Sequence, residues 1–221
     1  MSESFDYSAR CRQVRALGGD CYNFIPLEDD RLALVVGDAS GKGLAAALMI
    51  ANVQSSLRTA ALFAEDDLAA LLQAVNHQAY SSSLANRYAT LFYGVFDNTK
   101  QTLRYINAGH NPPVVLRRNG SVQSLETSGA PVGMFPDSTY DEKVVELNPG
   151  DLVLAYTDGV VEATNQNGEE WGVDGLLKAA GFGAHRSQSA GDLVNFIFHS
   201  MDEFSKEHQN DDATLAVVRA I

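Results

Sequence analysis

The chain has 221 residues, 45% of them hydrophobic and 20% charged, which suits one globular domain able to bury roughly 70% of its unfolded surface without staples. Its formal charge of −12, from 28 acidic against 16 basic residues, would repel a polyphosphate backbone or an anionic membrane surface, so nucleic acid is disfavoured as a partner. Two cysteines, Cys11 and Cys21, are too few for a disulfide framework and lack C-x-x-C spacing; both are expected as reduced thiols, in keeping with a cytoplasmic setting.

Residues 1–10 carry Glu3 and Asp6 and lack the apolar stretch of about 7 to 15 residues that a signal peptide needs. The longest apolar run, residues 44–51, is well short of the roughly 20 required for a span, so no membrane crossing is expected. Residues 31–38, Arg-Leu-Ala-Leu-Val-Val-Gly-Asp, read as a buried strand that ends on Gly37 and Asp38. Ala and Leu at helical period predict a helix from residue 44 to about 63, with Ser40, Gly41 and Gly43 ahead of it as entry signals. A second helix is predicted over 66–83, where Leu68, Leu71, Leu72, Val75 and Ala79 share a face.

The period then changes. Residues 89–97, 101–108, 114–118, 121–126 and 143–147 read as short strands broken by Asn, Gly or Pro, most simply joined as antiparallel meanders. Another buried strand, 151–157, runs into Asp158-Gly159. Helices follow near 173–180 and 190–206, and the chain closes with a strand over 214–219 introduced by Asp211 and Asp212. No internal repeat or low-complexity linker interrupts this order, so a single domain of the α+β class is expected rather than a parallel α/β sheet.

Four aspartates recur beside a glycine or at the edge of an apolar strand: Asp20, Asp38, Asp158 and Asp211. Mg²⁺ and Mn²⁺ favour oxygen donors, and short Asp side chains at rigid strand ends place oxygens well, while glycine lets the backbone approach. Each alone also reads as an ordinary turn. A nucleotide-binding P-loop at residues 37–43 fails on spacing, since three residues rather than four separate Gly37 from Gly41-Lys42, and Gly43 rather than Ser or Thr follows.

Five segments, in order, sharpen the picture: Gly18-Gly19-Asp20-Cys21-Tyr22, Gly37-Asp38-Ala39-Ser40-Gly41-Lys42-Gly43, Asn107-Ala108-Gly109-His110, Tyr156-Thr157-Asp158-Gly159 and Asp211-Asp212-Ala213-Thr214. Together they resemble the stage-II-sporulation-E-like branch of the metal-dependent (PPM, type 2C) serine/threonine protein phosphatases, from about residue 9 to 219. The resemblance implies a four-layer α-β-β-α sandwich with two central antiparallel sheets, and a catalytic domain that fills residues 1–221.

It also implies a binuclear centre of two Mn²⁺ or Mg²⁺. By motif, Asp38 matches the ligand shared by both ions, Ala39 would offer its backbone carbonyl, Asp20 matches a ligand of one ion, and Asp158 and Asp211 match ligands of the other. Only the first aspartate of the final pair matches, so Asp212 is read as structural. The implied chemistry is in-line attack of a metal-activated water on phosphorus, with no phosphoenzyme.

Around these, His110 is read as structural or supporting, with general-acid work as the alternative; Lys42 as holding its loop, with phosphate contact as the alternative; Ser40 and its glycines as a helix entry; residues 128–133 as a turn; and Trp171 as packing on adjoining strands. The chain departs from the branch at Asn23, where an aspartate is common. No arginine can be matched to the phosphate-holding arginine of type 2C enzymes outside the branch, which leaves substrate grip unassigned.

Branch members act on phosphoserine or phosphothreonine of a small STAS-domain anti-anti-sigma factor in bacterial partner switching, which makes such a phosphoprotein the expected partner; the resemblance also leaves room for a homodimer. The chain starts close to the first motif, so a preceding sensor domain is expected either to be absent or to lie on other residues. The alternative reading is a catalytically weak phosphoprotein-binding regulatory module of the same fold.

Overall fold

Residues 32–36 are apolar in succession, and β3 (Arg31–Ala39), the strand that contains them, is buried along both faces. The computed structural model describes residues 5–14, 17–61, 66–82, 87–206 and 208–221. Its contacts divide the chain into two units. One comprises Met1–Val14, Pro113–Ser124 and Asn148–Ile221; the other comprises Arg15–Pro112 and Leu125–Leu147.

The second unit is built on an antiparallel sheet in which β2 (Asp20–Leu27), β3, β4 (Ala89–Asp97), β5 (Thr102–Ala108) and β8 (Lys143–Glu146) lie side by side in that order. Of the strands expected to run as one meander, β4, β5 and β8 are neighbours here, whereas Val114–Leu116 and Val122–Ser124 belong to the other sheet. Two helices, α1 (Leu44–Ala61) and α2 (Leu68–Ser82), contribute Met49, Ile50, Val53, Leu57, Leu72 and Val75 to a core they share with Val35, Leu91 and Tyr93 of the sheet. These positions recur at three and four residues, so each helix buries one stripe. Gly41 and Gly43, with φ of +88° and +80°, make the left-handed turn that leads into α1.

The first unit orders its strands β1 (Phe5–Arg12), β10 (Ala213–Ala220), β9 (Leu152–Tyr156), β6 (Val114–Leu116) and β7 (Val122–Ser124), again antiparallel. Its helices are α3 (Asp158–Val161), α4 (Gly172–Ala184) and α5 (Ala190–Ser205). The α5 N-terminus is closed by a capping box between Ser189 and Asp192, and Lys206 ends the helix in the left-handed region at φ 56°. Leu193, Val194, Ile197 and Met201 of α5 pack with Leu154, Leu215 and Val217 of the sheet. Arg12 fixes β1 to α5 through a two-pronged pair with Asp202, at 2.5 and 2.7 Å, with its guanidinium 4.6 Å from the Phe198 ring centroid.

Two antiparallel five-stranded sheets, each with its own helices, are the α+β class that the element order predicts. Neither cysteine is in a disulfide, and no helix among the described residues is long and apolar enough to cross a membrane. Two local expectations are extended. Trp171 packs against the core that strand residues Leu154, Leu215 and Val217 share with α4 and α5, and at the start of α4 a Cβ on Gly175 would lie 2.5 Å from its ring. Residues 128–133 do more than turn, since Val132 and Ala89 exchange two backbone hydrogen bonds of 2.8 Å and Gly129 bridges to both Ala108 and Tyr140.

Candidate metal centre

Within the second unit, Asp20 and Asp38 are direct cross-strand partners, so their side chains leave the sheet on the same face. That face is opposite to the one packed on α1 and α2, because Val35 and Ala33, which alternate with Asp38, belong to the helix-side core. Directly opposed Cβ atoms lie about 4.5–5.5 Å apart, and like charges so placed repel. Gly19 draws the donors closer together. A Cβ on it would sit 2.9 Å from Asp38 Oδ1 and 3.2 Å from the Ala39 carbonyl oxygen, while its own carbonyl accepts from Ala39 N at 3.1 Å. Three predicted donors, the Asp20 and Asp38 carboxylates and the Ala39 carbonyl, therefore converge on one strand end.

Thr90 completes the row as the partner of Asp38 on β4. Its hydroxyl lies 3.4 Å from the Asp38 carbonyl oxygen and 2.9 Å from His110 Nδ1. His110 is buried, its backbone N–H donates to Asn107 Oδ1 at 2.8 Å, and its ring is linked to the Asp38 backbone carbonyl through the Thr90 hydroxyl.

Within the first unit, Asp158 and Asp211 are brought together by a second glycine. A Cβ on Gly159 would meet the Asp212 carbonyl oxygen at 2.0 Å and the Asp211 carbonyl oxygen at 3.2 Å, so the backbone at Asp158-Gly159 is pressed onto that of Asp211-Asp212. Thr157 and Thr214 lock the approach: Thr157 N donates to Thr214 O at 3.0 Å, and Thr214 N to Thr157 Oγ1 at 2.9 Å. The negative potential here registers on Glu162, whose carboxyl is pushed above its ordinary range by burial and then by Asp158, Glu170 and Asp211.

The sequence profile of the stage II sporulation protein E (SpoIIE) family matches residues 28–221. The chain belongs to that family. Its two-sheet architecture recurs in solved PP2C phosphatase domains, among them those of SiaA from Pseudomonas aeruginosa and SpoIIE from Bacillus subtilis. Protein IcfG of Synechocystis is 30% identical over 80% of this chain and 32% of its own length; phosphoserine phosphatase RsbU of Bacillus subtilis is 26% identical over 98% of this chain and 64% of its own. The chain thus spans only 32% and 64% of the length of these two curated relatives. The solved RsbU and RsbW domains of Rv1364c from Mycobacterium tuberculosis superpose with a TM-score of 0.80 at 27% identity, covering 97% of this chain and 59% of that one. The catalytic domain of the serine/threonine phosphatase PstP, solved with two manganese ions, superposes with a TM-score of 0.70 at 16% identity, over 97% of each chain.

Both carboxylate groups of this SpoIIE-family domain suit hard divalent cations in donor chemistry: all-oxygen donors, short side chains at rigid strand ends, and a backbone carbonyl beside one pair. Asp212, read as structural, uses Oδ1 to accept Val14 N at 2.8 Å, which ties down the end of β1. Asn23 lies three residues beyond Asp20 on the same strand, and an odd separation turns its side chain to the opposite face. Ser40 does not cap α1. Its hydroxyl accepts Tyr88 N at 3.1 Å and its N–H donates to Tyr88 O at 2.8 Å, binding the loop to the foot of β4.

Three contributors escaped the sequence reading. Thr90 becomes visible only once the β3–β4 register is known. Arg87, whose Nη1 donates to Ser40 O at 2.7 Å, braces the loop that follows Asp38. Glu162 is one turn beyond Asp158 on a helix too short to show a period.

Proposed function

We propose that residues 1–221 form one catalytic domain that hydrolyses phosphoserine or phosphothreonine on a protein with two Mn²⁺ or Mg²⁺ as cofactors. The observation that carries this reading is the direct cross-strand pairing of Asp20 with Asp38, held against the Ala39 carbonyl by Gly19. Asp20, Asp38 and the Ala39 carbonyl would serve as one group of metal ligands, and Asp158 with Asp211 as the other. Bound divalent cations lower the pKa of water toward about 7 and neutralise charge on phosphoryl oxygens.

The protein's own part is to hold the oxygens still. Thr90 and His110 are linked to the Asp38 backbone carbonyl, Thr157 and Thr214 fix the approach to Asp158, and Asp212 anchors the neighbouring strand, which leaves Asp211 to act as ligand. Two-metal hydrolysis requires neither a nucleophilic side chain nor a phosphoenzyme. Cys11 and Cys21, present as thiols, accord with a reducing, cytoplasmic location.

The test is turnover of p-nitrophenyl phosphate with Mn²⁺, with Mg²⁺ and after EDTA. Metal-dependent hydrolysis that EDTA abolishes is expected; full turnover in metal-stripped protein refutes the chemistry, and no turnover under any condition leaves a phosphoprotein-binding module. The proposed substrate is a phosphorylated STAS-domain anti-anti-sigma factor, a reading supported by the similarity to RsbU. Contacts remote from phosphorus contribute to transition-state positioning. The intact phosphorylated domain should therefore react with far higher kcat/KM than a peptide carrying the same phosphoserine. Equal rates would sink the partner-switching reading and leave the phosphatase reading standing. The homodimer admitted by the resemblance is tested by sedimentation.

A further inference from the structure

We propose that the first unit carries a second, non-catalytic site for a phosphate-class oxyanion, in a cavity of about 260 Å3 walled by Arg117, Arg118, His185 and Arg219. The cavity lies at the far end of β9 and β10 from the carboxylates. Leu152 and Arg219 are cross-strand partners there, roughly 20 Å by strand rise from Asp158 and Asp211.

Three arginines line the cavity, and of their guanidinium groups only that of Arg117 is paired with the neighbouring carboxylate. Asp151 takes Arg117 Nη1 at 2.8 Å, and Arg117 Nη2 is held by Gln123 at 2.5 Å, so this arginine is already committed. The same carboxylate accepts the backbone N–H of Arg118 at 3.2 Å, but the Arg118 guanidinium has no ion pair among the described residues. Arg219 donates Nη1 to the Ser187 carbonyl at 3.3 Å, while its Nη2 is buried and finds no acceptor among the described residues. Buried donors in native proteins are rarely left so, and a guanidinium fork matches the oxygens of phosphate.

Two further features favour an anion. Gly120 and Gly150, at φ of +84° and +92°, border the cavity without side chains, and Gly150 seats the Arg118 stem, which lies 3.1 Å from where a Cβ would be. The excess positive charge is also local and against the trend of a chain carrying −12 overall, so it is not a by-product of a basic surface. A cavity below the roughly 300–1,000 Å3 of drug-sized pockets fits inorganic phosphate or the phosphoryl end of a small ester.

The test is titration of inorganic phosphate into the full chain with Mg²⁺ present, followed by backbone amide shifts of Gly120, Gly150 and His185. Methylphosphonate in a parallel titration represents esterified phosphate without being hydrolysed. Saturable shifts at these amides are expected, weakened at least about tenfold in Arg118→Gln, with hydrolysis of p-nitrophenyl phosphate unchanged in that variant. Arg219→Lys, which keeps the charge and loses the fork, should also bind more weakly. Response to phosphate alone assigns the site to the free anion, and response to both ligands shows that an ester is admitted. Shifts that do not saturate and are matched by chloride at equal ionic strength, or undiminished binding in Arg118→Gln, overturn the proposal.

Discussion

Gly159→Ala is the sharpest test of how the Asp158 and Asp211 group is assembled. The added methyl would fall 2.0 Å from the Asp212 carbonyl oxygen and 2.8 Å from its carbon. Both are backbone atoms next to β10, which is paired on both sides by β1 and β9, so the obstacle cannot move aside as a flexible side chain would. The backbone must separate, and overpacking of this kind costs about 3 kcal/mol or more. For a chain of this size 1 kcal/mol corresponds to about 2–4 °C in Tm, so the variant should melt about 6–12 °C lower and lose metal-dependent turnover as the two aspartates part. Gly181→Ala is the control. It sits inside α4 with nothing within 4 Å of the new methyl, so it should raise Tm by about 1–4 °C through helix propensity alone. Thermal unfolding followed by circular dichroism in EDTA separates folding from metal binding. If both variants melt within 2 °C of the parent, the close packing of Gly159 on Asp212 does not govern this half of the site.

Asp38→Asn should abolish metal-dependent hydrolysis, whereas Asp212→Asn should lose about 1 kcal/mol of stability through its bond to Val14 and retain most activity; equal losses of turnover would reverse the two assignments. Asn23→Asp should leave metal affinity largely unchanged, because the side chain leaves β2 on the opposite face from Asp20; a tenfold gain by calorimetry would show that the face is misassigned. Asp151 supplies a pH signature. Burial alone would raise its carboxyl, but the Asn148 amide, the Arg117 guanidinium and the Arg118 amide outweigh burial and hold it below its ordinary value of 3.8. With the folded pKa depressed, this stability is fully present above about pH 4 and is lost as pH falls through the folded value. Asp151→Asn should therefore cost roughly 2–3 kcal/mol at pH 7 and flatten the acid limb of the Tm profile; an unchanged limb would rule the group out.

The elements that the sequence shows clearly are those whose burial imposes a period. Residues 89–97 form β4 as predicted, and the α1, α2 and α5 stripes fall where their apolar spacing puts them. Three elements were not legible, each for a physical reason. Along β1 only Phe5 is fully buried, so no alternation marks it. The strand β2 contains Pro26, which argues against a strand except at a sheet edge, and the edge is where β2 lies. The helix α3 spans four residues, too few for any period. The site suffered accordingly: Asp20 could be picked out by its glycines and by the resemblance, but its pairing with Asp38 depends on the strand that the pattern conceals.

The two carboxylate groups solve one problem in the same way. Acidic side chains crowded at a strand end repel one another, and a chain that only tolerated this would let them splay. Here a glycine stands at each crowding point, Gly19 against Asp38 and Ala39, Gly159 against Asp211 and Asp212, and the missing Cβ lets backbone press where a side chain would hold it off. The restraint comes from backbone ladders and from Thr90, Thr157 and Thr214, neutral groups that fix position without cancelling charge. Glu162, whose carboxyl is raised first by burial and then by Asp158, Glu170 and Asp211, lies beside the second of these groups.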